Sequence, residues 1–545
     1  MNSGRVTVRN DPRSGLPVVH LAGRPLTGPD PAASITRRLP DPTSLLPQTL
    51  ILVISPLHGW ELKSWQLQLD PSCAVLPLEL DADIAAVCAS ALRLQLGSET
   101  ALARSRDAAL RRGEELIRRW ALRRVRPLAL SGASRLHAGA YSDIEAHLSE
   151  YIQRFWSNRG TEIRLHRRWM ANLFRNLPLV HRPVDQLRGQ LGKRVLLVGA
   201  GPALDAVAPT LRGARVPLVA IDTALPALAA AGVQPDVVIA MDGQLANARD
   251  FVPWKWDNLI LIADLSTHPS ILRRFPPDRR FVFLSRFSDT GIFHDPQLKA
   301  VLTGLRLLPA RGSVAPAAVE LLWHLMGVGE ILCAGVDFWY QPPRSHARMS
   351  TIDRYVRRAA SRLRHRDGYD RALKRPWREL RLANGSAVVG DAILADQADQ
   401  MRALVQGLGV RLLRVDAPGL DVGAETLSEP QWQAWLAGAS DAEAEAIAGR
   451  VTSPAIRDDA LRADAQVRGR ALDTLLQRLR AQEALLARPA GPVVLDAGLD
   501  LAWRDLPQWP LLERRAAWAA LHRQRLLRAV RDMRRRLARI LPTEP

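Results

Sequence analysis

From residue 193 onward, short apolar runs recur at a spacing that few folds can absorb. They are RVLLVG (194–199), VPLVAI (216–221), DVVIAM (236–241), LILIA (259–263), FVFLS (281–285) and EILCAG (330–335). Each is continuously apolar rather than alternating, so each reads as a strand covered on both faces. Alanine-rich or amphipathic segments of helical period lie between most of them. Buried strands alternating with helices predict a parallel, doubly wound α/β sheet of the Rossmann type.

The chain has 545 residues, more than one core can organise. We divide it into a small Rossmann-like α/β domain (1–100), a helical linker region (101–185), the central Rossmann-like domain (186–425) and a helical carboxyl-terminal region (426–545). Residues 1–46 are Pro- and Gly-punctuated and read as a small β-rich start. TLILVIS (49–55) and CAVLPLELDAD (73–83) supply two strands of the first domain. Residues 84–182 read as mostly helical and rich in arginine. A Pro-rich break at 489–510 interrupts the last helices.

The formal net charge is +20, yet only five of the 75 basic residues are lysine. The arginines gather in helical stretches at 101–170 and 456–539, away from the apolar runs. Such clusters read as solvated helix faces, and nucleic acid is not the partner they predict. No apolar run reaches about 18 residues, the length that spans a bilayer. The opening MNSGRVTVRNDPRSG lacks the apolar stretch of a secretory leader. Cys73, Cys88 and Cys333 have neither disulfide nor metal spacing, which fits a reducing cytoplasm and no metal centre. DAD (81–83) looks like a metal-holding pair of acids but stands at a helix start.

RVLLVGAGPALDA (194–206) runs from strand to glycine turn to helix. A dinucleotide fingerprint needs a third glycine where Leu204 stands, and there is no P-loop. Gly199 and Gly201 allow a close backbone approach, and Pro202 suits a helix's first turn. The turn either presents free amides to an anion or is a tight connection without a ligand. Asp222 and Thr223 end one strand and Asp242 the next, where ligands sit in open parallel sheets. As helix caps they have another use. Gly312 and Ser313 precede the apolar helix VAPAAVELLWHLMG, where Ser313 is either an N-cap or a phosphate contact.

GAGPALD, AIDTALPALAAAGVQPDVVIAMD, RGSVAPAAVELLWHLMGVGEILCAGVDFWY and a following SHA resemble, in order, motifs of the motility-associated factor family. HLAGRPLTGPDPAASITRRL and ILVISPLHGWELKSW, followed by AVLPLELDAD, resemble its amino-terminal part. Only Gly59 stands in that first turn, which argues against a second nucleotide site there. The resemblance implies a sialyltransferase-like glycosyltransferase. Its donor would be a CMP-activated nonulosonic acid, its acceptor a Ser or Thr of flagellin, and its role flagellar assembly and motility. It implies no tightly bound cofactor and no metal, and leaves a homo-oligomer open. Within it, Gly199, Gly201, Pro202, Asp222, Thr223, Asp242, Gly312 and Ser313 would bind the donor. His346 would serve as base or phosphate acid, unless it is only a loop residue. Asp337 would orient ligand or loop, unless it is a cap, with Arg311 and Arg344 as nearby cations. The same domain occurs in 6-hydroxymethylpterin pyrophosphokinases, so an ATP-dependent pterin kinase is the alternative. A non-catalytic flagellin chaperone is a third reading.

Overall fold

The structure is a computed structural model that describes residues 5–96, 101–180, 182–252, 258–286, 291–342, 344–361, 376–382, 384–438, 458–488, 495–496, 499, 502 and 522–539. The chain divides into two units. One comprises Met1–Arg164 with Leu485–Leu495 and Trp503–Leu527, the other Leu165–Ala484 with Asp496–Ala502 and Arg528–Pro545.

The first unit opens with an antiparallel sheet of β1 (Val6–Asn10), β2 (Pro17–Leu21) and β3 (Arg24–Pro25). Its parallel sheet has the order β5-β4-β6, with β4 at Thr49–Ile54, β5 at Ala74–Leu78 and β6 at Arg124–Ala129. β6 is a correction to the sequence reading, which made this stretch helical. Its arginines hide the apolar signal, and Pro127 sits where an edge strand tolerates a missing N–H. The helix Ala138–Asn176 follows.

The second unit is built on nine parallel strands in the order β12-β11-β10-β9-β8-β7-β13-β16-β17. They are β7 (Arg194–Val198), β8 (Leu218–Ile221), β9 (Val237–Ala240), β10 (Ile260–Asp264), β11 (Arg280–Arg286), β12 (Leu307–Pro309), β13 (Glu330–Ala334), β16 (Arg411–Val415) and β17 (Glu425–Leu427). A separate hairpin pairs β14 (Arg378–Arg381) with β15 (Ala387–Gly390). The six apolar runs are β7 to β11 and β13. β12 and β17 have three residues each and carried no readable pattern. From β7 the chain adds strands outward to β12, then returns to place β13 on β7's other side. That reversal makes the sheet doubly wound.

The connections are shorter than expected. β8 reaches β9 through a 3₁₀ turn and the helix Leu225–Ala230, and among the described residues between β9 and β10 only the 3₁₀ turn Leu245–Arg249 is helical. Val195, Leu197, Val219, Val237, Ile239, Ile262 and Phe283 are wholly buried between the layers. Each such side chain contributes about 1.5–3 kcal/mol by leaving water. Later helices lie at Glu429–Ala437, Asp458–Ala487 and Arg523–Ala538. Most of the break at 489–510 lies outside the described residues. No helix among the described residues is long and apolar enough to cross a membrane.

Candidate active site

β7 and β13 are neighbours, and the chain departs from them in opposite directions, so a crevice opens beyond their carboxyl ends. Gly199 to Ala203 leave β7 there and Gly335 to Asp337 leave β13. The Gly199 N–H donates to Ala334 O at 2.8 Å, and the Gly201 N–H to Gly335 O at 2.7 Å. The Ala203 N–H donates to Asp337 Oδ2 at 2.7 Å. A Cβ on Gly199 would strike the Gly335 carbonyl, and one on Gly201 would strike the Asp337 carboxylate. Neither glycine has a left-handed φ. The two glycines therefore permit two backbone segments to touch. The amides of Gly199, Gly201 and Ala203, which the sequence reading offered to an anion, already have acceptors. Pro202 is buried behind them.

Asp337 is 5 % exposed. Burial pushes its carboxyl up to about 7, against the Ala203 N–H and Arg414, which pull it down. It acts on the turn rather than facing solvent. His346 lies in the segment that covers the turn, where the Ala347 N–H donates to Ala200 O at 2.8 Å. His346 is half-buried, with Nδ1 2.9 Å from Ser345 Oγ. Asp205 clamps this segment by accepting from the Arg344 guanidinium and, at 2.6 Å, from the Arg348 N–H. Asp205 was inside the quoted GAGPALD motif, but nothing local marked it as a clamp. Ser350 then caps the helix Thr351–Ala359.

A second group lies beyond β8 and β9. Asp222 is 1 % exposed; its Oδ1 accepts from the Thr223 N–H at 2.8 Å, and its Oδ2 has no hydrogen-bond partner. Burial raises its carboxyl well above the ordinary range, and the nearby Asp250 and Asp242 raise it further. Asp250, which sequence reasoning missed, is pushed up to about 6 by burial, against a hydrogen bond with the Thr351 side chain. Asp242 and Thr223 are half-buried, and Asp242 Oδ1 accepts from the Gln244 N–H at 2.8 Å.

Gly312 and Ser313 form a third group, beyond β12. The Gly312 N–H donates to Gln400 Oε1 at 3.2 Å, and Gln397 Nε2 donates to Gly312 O at 3.1 Å. Ser313 is the N-cap of the helix Val314–Glu320, and its side chain makes no capping bond. Arg311 is neutralised by Glu320 at 2.7 and 3.0 Å. All three groups follow carboxyl ends of one parallel sheet. Hydrogen bonds through Ala347 and to Asp337 join the His346 segment, Asp337 and the glycine turn into one cluster, and Asp222, Asp242 and Asp250, whose charges act on one another, form another. Among the described residues, no group of three or more His, Cys, Asp or Glu is placed to hold a metal ion. Asp81 caps a helix, accepting from the Ile84 N–H at 3.1 Å.

A doubly wound sheet whose first turn packs against its returning strand defines a Rossmann-like fold. Residues 168–342 match the family described as 6-hydroxymethylpterin diphosphokinase MptE-like, and His346 falls just past that match. This is the domain that motility-associated factors carry, and the resemblance read from the sequence holds. The fold is that of a MAf glycosyltransferase from Magnetospirillum magneticum AMB-1, at 14% identity and a TM-score of 0.53 over 98% of this chain and 91% of that one. Two uncharacterized proteins of Treponema pallidum (strain Nichols) are also similar. One is 27% identical over 338 residues, 58% of this chain and 56% of its own length. The other is 28% identical over 205 residues, 36% of this chain and 43% of its own length. The chain thus spans about half the length of the curated relatives it matches.

Proposed function

We propose that the protein is a glycosyltransferase that moves a nonulosonic acid from a CMP-activated donor to a Ser or Thr hydroxyl of flagellin. One observation carries this reading: the segment bearing His346 is hydrogen-bonded onto the glycine turn at the β7–β13 crevice. The fold shared with a MAf glycosyltransferase along nearly the whole chain supports it. In the reaction, the acceptor oxygen attacks the anomeric carbon and the bond from that carbon to the phosphate oxygen of CMP breaks. His346 takes the hydroxyl proton, or protonates the departing phosphate. Asp337 positions the turn through the Ala203 N–H. Ser313, free of a capping bond, is the contact offered to phosphate, and Asp222, Thr223 and Asp242 flank the rest of the donor.

A second reading is an ATP-dependent pterin diphosphokinase, favoured by the domain match at 168–342. Thermal titration of the full chain separates the two. Stabilisation by CMP or CTP supports the transferase, and a response to ATP alone supports the kinase. Stabilisation by NAD without CMP would refute the transferase.

A further inference from the structure

From Leu165 onward the helix Ala138–Asn176 belongs to the second unit, and there it is pinned to the carboxyl ends of β9 and β10. Buried Asn172 donates to Gly243 O at 3.0 Å, just past β9, and to Ser266 O at 2.9 Å, just past β10. One helical turn on, buried Asn176 donates to Leu265 O at 2.9 Å and to Thr267 O at 2.8 Å. The packing is close, since a Cβ on Gly243 would meet Ser266 O at 2.9 Å and Asn172 Nδ2 at 3.1 Å. His268 comes next and is tied to the β9 loop, its N–H donating to Asp242 O at 3.2 Å.

Arg168 and Arg175 stand one turn before and one turn after Asn172, so they share its side of the helix. Arg273 follows the short helix Pro269–Leu272, which His268 caps. All three arginines are exposed, and His268 is half-buried. His268 Nδ1 accepts from the Ser270 N–H at 3.3 Å and lies 2.8 Å from Ser270 Oγ. The proton of the neutral ring is therefore on Nε2. Burial lowers the His268 pKa, and the charges of Arg175, Arg168 and Arg273 lower it further. Among the described residues, no carboxylate pairs with any of the three guanidinium groups. The carboxylate of Asp242 is taken up by Gln244, accepting from its N–H at 2.8 Å and from Nε2 at 3.4 Å.

We propose that this corner of the larger sheet is an anion site that takes a phosphate group. Three guanidinium groups and an Nε2–H offer donors only, and three like charges around one ring repel one another until an anion joins them. A tetrahedral phosphate has enough acceptor oxygens to meet donors from the helix and from the β10 loop together. The site lies past β9 and β10 and does not rest on the transferase reading, in which Ser313 meets the donor phosphate.

NMR of the histidine-labelled full chain tests it, with inorganic phosphate as the probe. His268→Gln identifies the resonance of the ring. That resonance should move and saturate with phosphate, and stay in place with sodium chloride at equal ionic strength. Arg168→Gln and Arg175→Gln should each weaken phosphate binding about threefold, the worth of an exposed charge pair, and the double change about tenfold, all at an unchanged melting temperature. Displacement of phosphate by CMP but not by cytidine would assign the site to a nucleotide phosphate, and displacement by neither would assign it to free phosphate. A resonance that phosphate leaves in place, or that chloride moves as far, would overturn the proposal. So would phosphate affinity that the double variant retains in full, because the anion would then sit elsewhere.

Discussion

The two parallel sheets each begin with a buried strand and a turn into a helix, and the turns solve the same problem in opposite ways. After β4, Ser55, Leu57 and Glu61 take left-handed φ values of 50°, 52° and 63°, around Gly59 at 70°. After β7, the two glycines keep ordinary φ values and serve to let the chain touch β13. The smaller sheet accepts backbone strain with side chains in place, at about 1–2 kcal/mol for each left-handed residue. The larger sheet gives up side chains for proximity. A count of glycines therefore reports neither strain nor a ligand.

The largest effect that sharpens this contrast is chemical. If the larger sheet's crevice carries the reaction, His346→Ala should lower the rate of transfer by roughly two to four orders of magnitude, the usual worth of general acid–base help. CMP affinity should stay within about threefold, because proton transfer acts in the transition state. A variant that transfers normally would reduce His346 to a loop residue.

Next comes a pair of glycine substitutions, read by urea unfolding. In Gly199→Ala the new methyl meets backbone, which cannot yield, so we expect a loss of about 3 kcal/mol. In Gly59→Ala the methyl meets the end of the Leu92 side chain, and the cost is mainly the left-handed φ, about 1–2 kcal/mol. The reverse order would break the comparison.

Asp337 gives a pH signature. Its folded carboxyl titrates near 7 because of burial, above its ordinary 3.8. The stability it contributes is complete below pH about 4 and is lost as pH rises through 7. Asp337→Asn should remove that loss, so the wild type declines relative to the variant between pH 4 and 7. Parallel stability curves would show that burial does not hold this carboxyl neutral.

The smallest effect concerns the acids beyond β8 and β9. Thr351→Val removes the hydrogen bond that lowers Asp250, at about 1 kcal/mol. Titration of Asp250 followed by carboxyl NMR should move upward from about 6. No movement would show that Thr351 does not hold it.

The larger sheet was legible because strands buried on both faces leave uninterrupted apolar runs. β6 was not, since an edge strand reading RVRPLA keeps arginines and a proline that a central strand would reject. The glycine turn was legible as a pattern but not in purpose, because Gly335 and Asp337 lie far along the chain from Gly199 and Gly201. Asp205 and Asp250 left no signal for a related reason. In sequence each is an ordinary acid in a helical turn, and only the fold brings Arg344 to one and Thr351 to the other. Asp222 and Asp242 could be singled out as candidates because they end strands, where position alone suggests a ligand-facing residue, though Asp222 is buried.

The most direct test of the account is the intact mass of flagellin after incubation with the full-length protein and a CMP-activated nonulosonic acid. Flagellin should become heavier by whole nonulosonate units, with one CMP released for each. Unchanged flagellin, from a folded protein that instead converts ATP and hydroxymethylpterin to AMP and a pterin diphosphate, would contradict it.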